Sequence, residues 1–144
     1  MNKFLGIITI LLFFLSNVNA NERENKLNNL FKQLKNSEAS TAVKIENKIW
    51  KIWSTHPSNN DKGLNLTKLL AQGSFLMSGK ELNKAYEIFS QIILTDPNWS
   101  EAWNKRATVL YLLGRYEQSQ KDIDEVLKLE KRHFGALSGQ GLVQ

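Results

Sequence analysis

Two consecutive stretches decide the fold. Residues 66–99 read LTKLLAQGSFLMSGKELNKAYEIFSQIILTDPNW, and residues 100–133 read SEAWNKRATVLYLLGRYEQSQKDIDEVLKLEKRH. Each holds two apolar runs at helical spacing, parted by a breaker: Ser78-Gly79 in the first and Gly114 in the second. Asp96-Pro97-Asn98 separates the stretches. A shift of 34 residues lays one on the other without a gap. Leu69 then falls on Trp103, Gly73 on Ala107, Leu76 on Leu110, Leu82 on Tyr116, Ala85 on Ser119, Phe89 on Ile123 and Ile92 on Val126. A second shift takes Trp103 to Leu137 and Ala107 to Gly141. The spacing predicts helices near 64–77, 81–94, 99–113 and 116–129, with another starting at Phe134. No stretch sustains a period of two, so strands are not needed. The pattern is all-α, built of antiparallel hairpins.

The residue types follow from that packing. Small side chains at Gly73 and Ala85 let the two helices of a hairpin approach closely, and Ala107 with Ser119 repeats the device. Phe89 and Trp103 are large enough to fill gaps between successive helices. Pro97 follows a helix that it cannot continue and sharpens the turn into the next hairpin. This period and pattern resemble the tetratricopeptide repeat. Gly73, Ala85, Phe89 and Pro97 meet its motif in the first hairpin, and Trp103, Ala107, Ser119 and the turn Gly114-Arg115-Tyr116 meet it in the second. Departures include Leu69 for Trp, Gln72 and Arg106 for Leu, Leu76 and Leu110 for Tyr, Ile123 for Phe and Lys131 for Pro. Arg106 must therefore carry its guanidinium to a helix edge. The resemblance implies stacked hairpins over 63–144, with full repeats at 66–99 and 100–133 and a truncated third from 134. The runs Glu101–Ala107 and Arg132–Leu137 also look like a small exported bacterial group within that family.

Outward from the repeats, residues 24–35 place Leu27, Leu30, Phe31 and Leu34 at helical spacing. Ser37 is a reasonable start for a second helix carrying Ala42, Ile45, Ile49, Ile52 and Trp53 on one face. Residues 21–62 thus form an N-terminal helical hairpin, ended by the polar stretch Thr55–Asp61. Lys44, Lys48 and Lys51 make a stripe on its second helix, read as a solvated face. Residues 1–20 follow the plan of a secretory signal peptide: Lys3, an apolar run from Phe4 to Leu15, then small residues with Val18 and Ala20 before a cleavage point. Twelve residues rise only about 18 Å as a helix, short of the ~30 Å hydrocarbon layer. Cleavage after Ala20 leaves an exported protein without a stable membrane span, periplasmic in a Gram-negative cell and otherwise secreted.

Composition narrows the chemistry. The 144 residues contain no cysteine and only two histidines, His56 and His133, which excludes disulfides, thiolate nucleophiles and Cys-zinc sites. The net charge of +5 is spread along the chain and carries no nucleic-acid footprint. His56, Ser58 and Asp61 share one polar turn without a nucleophile elbow. Asp122 and Asp124 point about 200° apart on a helix and cannot chelate one metal together. His133, at a repeat junction, reads as a packing or capping residue. No enzyme, metal or cofactor is expected. In the family, the first helix of each repeat lines a concave groove. The resemblance therefore implies a peptide-binding set of Leu70, Ser74, Met77, Glu101, Asn104, Thr108 and Tyr111. The function so implied is a protein–protein interaction module. The alternative is a structural part of an envelope assembly, docking or self-associating through outer faces or the C-terminal end. There Phe134, Leu137, Leu142 and Val143 have only one hairpin to bury against.

Overall fold

The computed structural model describes residues 21–143, with side-chain surroundings through Leu142. The signal-peptide segment 1–20 lies outside the described residues. Those described form α1 (21–35), α2 (Ala39–Trp53), α3 (Asp61–Ser78), α4 (Leu82–Thr95), α5 (Ser100–Leu112), α6 (Tyr116–Leu129) and α7 (Phe134–Val143). No strand occurs among them. The architecture is all-helical, with helices packed in adjacent pairs. The chain divides into two compact units between Gly63 and Leu64, and α3 begins in the first and continues in the second.

In the first unit Leu27 and Leu30 of α1, with Ile45, Ile49 and Trp53 of α2, are buried. Trp53 meets Phe31 at 6.0 Å between ring centroids and Trp50 edge-on at 5.5 Å. Two local expectations change here. The Ser37 hydroxyl donates to the Leu34 carbonyl at the end of α1, whereas α2 has Glu38 at its N-cap, with no side-chain bond. Helix α3 starts at Asp61, earlier than the apolar pattern suggests. The reason is a cap: the Asn60 side-chain oxygen accepts the Gly63 N–H at 2.9 Å, satisfying an otherwise orphan donor.

In the second unit the 34-residue period recurs as geometry. Helices α4 and α6 each have 14 residues, and their first residues, Leu82 and Tyr116, are one period apart. The turns entering them share one hydrogen-bond pattern. Glu81 N–H donates to Leu76 and Lys80 N–H to Met77; Arg115 N–H donates to Leu110 and Gly114 N–H to Tyr111. This double closure of a helix C-terminus requires a left-handed residue. Gly114 fills it at φ +73°, and Lys80 fills the equivalent place at φ +61°. The breaker read at Ser78-Gly79 is thus displaced: the strained residue is Lys80, which has a Cβ to accommodate.

Helix contacts follow the expected logic. A Cβ added to Gly73 would sit 2.5 Å from the Phe89 ring, so only glycine lets α3 come this close to α4. One period on, Ala107 stands in that place, and Ser119 Oγ donates to its carbonyl at 2.9 Å. The first core gathers Leu66, Leu70, Ala85, Phe89, Ile92, Ile93, Trp99, Ala102 and Val109. A second, smaller one gathers Ala107, Ile123, Val126 and Ala136, joining α5, α6 and α7. At the junction after Pro97, the Trp103 indole N–H donates to the Pro97 carbonyl at 2.9 Å.

Candidate partner-binding cleft

Helix α5 packs against α4, α6 and α7, so its faces meet three different environments. One face borders a cleft of about 160 Å³ lined by Asn104, Ala107, Thr108 and Tyr111 of α5, Ser119 and Ile123 of α6, and Gly135, Ser138, Gly139 and Leu142 of α7. Gly139 is close to Ile123, where an added Cβ would lie 3.2 Å from Cδ1. Small residues on α7 bring that helix near α6 and keep the cleft narrow.

Of the seven residues assigned to the groove, Asn104, Thr108 and Tyr111 line this cleft. Thr108 is exposed, its hydroxyl donating to the Asn104 carbonyl, and Tyr111 is half-buried with its ring 5.3 Å from that of Tyr116. The others lie elsewhere. Leu70 is a core residue, 2% exposed, because its aliphatic chain joins the Phe89 and Trp99 cluster. Ser74 donates its hydroxyl to the Leu70 carbonyl of its own helix, and Met77 packs on the first core. Neither borders the cleft.

Glu101 needs the largest correction: it is 0% exposed and cannot greet a partner. His133, also 0% exposed, shares a 2.9 Å hydrogen bond between its Nε2 and Glu101 Oε2. Asn104 Nδ2 donates to the same oxygen at 3.2 Å, and Lys105 Nζ lies 3.3 Å from Oε1. His133 Nδ1 accepts the Ala136 N–H at 3.3 Å, which caps α7 and leaves Nε2 to carry the proton toward the carboxylate. Asn104 is therefore double-natured: 7% exposed and tied to Glu101, yet on the cleft wall.

Arg106 does not simply snorkel to an edge. It forms a bidentate pair with Asp122 at 2.7 and 2.8 Å, donates to Ser90 Oγ at 3.2 Å, and lies 5.0 Å from the Trp103 ring. The hydrogen bonds to Asp122 raise the Arg106 pKa above its ordinary value despite the opposing cost of burial. Asp122 is thus spent on an ion pair. Asp124 accepts from Gln120, and Glu125 pairs with Lys128. No cluster of three metal-ligating side chains occurs among the described residues. Nothing in the cleft resembles a nucleophile with its base: Ser119, the buried hydroxyl, is bonded to a backbone carbonyl.

The cleft residues absent from that groove set are those of α7 and α6, and Ala107 of α5. The signal for α7 was available, since the 34-residue shift carries Asn104 onto Ser138 and Thr108 onto Leu142. The shared chemistry is a stack of helical hairpins offering a narrow, mostly apolar cleft edged with hydroxyl and amide groups. No protein-family model matches the chain. Over 120 residues it is 36% identical to a TPR repeat-containing protein of Rhizobium etli. That match takes in 82% of this chain and 56% of the relative, so the chain spans about half the length of the curated protein it matches. Together with the hairpins and their period, this match bears out the resemblance to the tetratricopeptide-repeat proteins.

Proposed function

We propose that the protein is a non-catalytic interaction module that holds an extended peptide segment in the cleft between α5, α6 and α7. The carrying observation is that Asn104, Thr108 and Tyr111 converge with Ser138 and Leu142 around one cleft. Ile123 and Leu142 supply apolar contact, while Tyr111 offers an amphipathic ring and Asn104 an amide oxygen beside its committed NH₂. The relative's description as repeat-containing supports an interaction role for the repeats. The signal-like segment 1–20 supports export, and periplasmic residence in a Gram-negative cell. Intact mass of the exported fraction tests that part; retention of residues 1–20 would show an anchor instead.

The cleft is tested by a photocrosslinking residue at Tyr111, compared with one at Leu94, which is 86% exposed on α4. A protein captured from Tyr111 alone, whose affinity falls in Thr108→Ala and Tyr111→Ala, supports the reading. Full affinity in both variants overturns it. Asn104→Ala is unsuitable because its amide also stabilises buried Glu101. A second reading, self-association or assembly docking through the C-terminal end, is favoured by Leu137 and Leu142, 48% and 65% exposed on α7. Sedimentation of the chain beside Leu137→Lys distinguishes the two: a dimer lost in the variant supports docking through α7.

A further inference from the structure

The hairpin of α1 and α2 carries a different surface. A cleft of about 810 Å³ runs along it, and four cations line it: Arg23 and Lys26 from α1, Lys48 and Lys51 from α2. Each pair stands three residues apart, one helical turn, so the two helices present matching cationic rungs. The single carboxylate in the lining is Glu22. Lys26, Lys48 and Lys51 have no ion-pair partner among the described residues. Arg23 is anchored, donating to the Thr55 carbonyl at 3.1 Å and so fixing the turn after α2 against α1. Clustering four cations against a single carboxylate costs stability within the folded chain, and an anionic occupant would reverse that cost.

We infer that this cleft binds an acidic polypeptide segment of a partner, at a site separate from the one proposed above. Three features select a peptide over an anionic bilayer. The cations line a recess, which a flat lipid surface cannot enter. Leu30 and Ile52 also line it, giving apolar contacts for side chains between carboxylates. Asn29 and Gln33 lie in the same cleft, where Gln33 Nε2 donates to Asn29 Oδ1 at 2.9 Å, and the Asn29 NH₂ and Gln33 oxygen suit the acceptors and donors of an extended backbone. An Asp/Glu-rich segment with interspersed aliphatic residues meets all three. The stripe of Lys44, Lys48 and Lys51 that reads as solvated in the sequence thus splits: Lys48 and Lys51 line the cleft, and Lys44 does not.

The test uses the chain from residue 21 to 144 and a fluorescein-labelled peptide of repeated Glu-Glu-Leu, read by anisotropy at several salt concentrations. Binding should weaken as salt rises. The double variant Lys48→Glu/Lys51→Glu should lose about tenfold or more in affinity, about 1.4 kcal/mol. Lys121→Glu/Lys131→Glu makes the same change of net charge on exposed positions of the repeats and should stay within about twofold of the parent. Circular dichroism melting confirms that both variants fold; should Lys48→Glu/Lys51→Glu fail to do so, Lys48→Gln/Lys51→Gln replaces it. Equal losses in both doubles would reduce the effect to net charge and overturn the site. So would absence of peptide binding, or binding only to vesicles of phosphatidylglycerol and phosphatidylcholine. Crosslinking from Tyr111 should persist in the lysine variants, which separates failure here from failure of the α5–α7 cleft.

Discussion

The two full repeats share a backbone plan and differ in what fills it. Where the first buries Leu70, Trp99 and Ala85, the second places Asn104, His133 and Ser119 at the same points of the period. Gln72 and Ile88 of the first correspond to Arg106 and Asp122 of the second, which form an ion pair. One frame thus accepts an apolar core or a hydrogen-bonded polar one. The polar version stands only while each partner is present, because a buried charge left alone is far costlier than a missing methyl group.

The sharpest way to break this comparison is to orphan a charge. Asp122→Ala leaves Arg106 partly buried without its carboxylate and should cost about 3 kcal/mol. Arg106→Gln with Asp122→Ile installs the first repeat's own residues and should recover most of that loss. Denaturant melts of both variants check this; equal destabilisation would show that the polar pair is needed for more than mutual neutralisation. Next in size, Gly73→Ala should cost about 1–3 kcal/mol by driving a methyl group into Phe89. Ala107→Gly, the converse change, should cost only about 1 kcal/mol through helix propensity. Thermal unfolding of the pair measures the asymmetry.

The turns offer a smaller contrast. Lys80→Gly should stabilise by about 1 kcal/mol and Gly114→Ala destabilise by a similar amount, since both places require left-handed backbone. Space is not at issue at Gly114, where an added Cβ meets nothing within 4 Å. The smallest effect concerns acid. Burial raises the Glu130 pKa, but hydrogen bonds from the Arg132 side chain and backbone outweigh it and hold it below the ordinary glutamate value. Its stabilisation is therefore complete above that value and fades as pH falls through the lower, folded-state pKa. Glu130→Gln should remove about 1 kcal/mol or less of acid-sensitive stability, checked by melts from neutral pH to pH about 3.

Much of the helical plan was legible because period and small-residue placement are local properties. Gly73, Ala85 and Phe89 announce a close hairpin wherever they stand at that spacing. The buried polar residues were not legible for the opposite reason. Glu101 and Asn104 read as groove-lining residues until His133, 32 residues from Glu101, is brought over them. Arg106 and Asp122 likewise become partners only when α5 and α6 pack. Of the cleft, the α5 contribution came through the family resemblance. The α7 contribution required carrying the period one repeat further.

The Glu101–His133 bond also bears on how the array comes apart. In a linear array each boundary has its own coupling energy, so neighbouring units can open separately. Here the residue that caps α7 is the same one that hydrogen-bonds a buried carboxylate inside the preceding repeat. Lifting α7 would strand Glu101 in the interior, so the loosening cannot stop at the boundary. Helix α7 and the second repeat should exchange their amide hydrogens as one cooperative block, with the weak link lying between the first and second repeats.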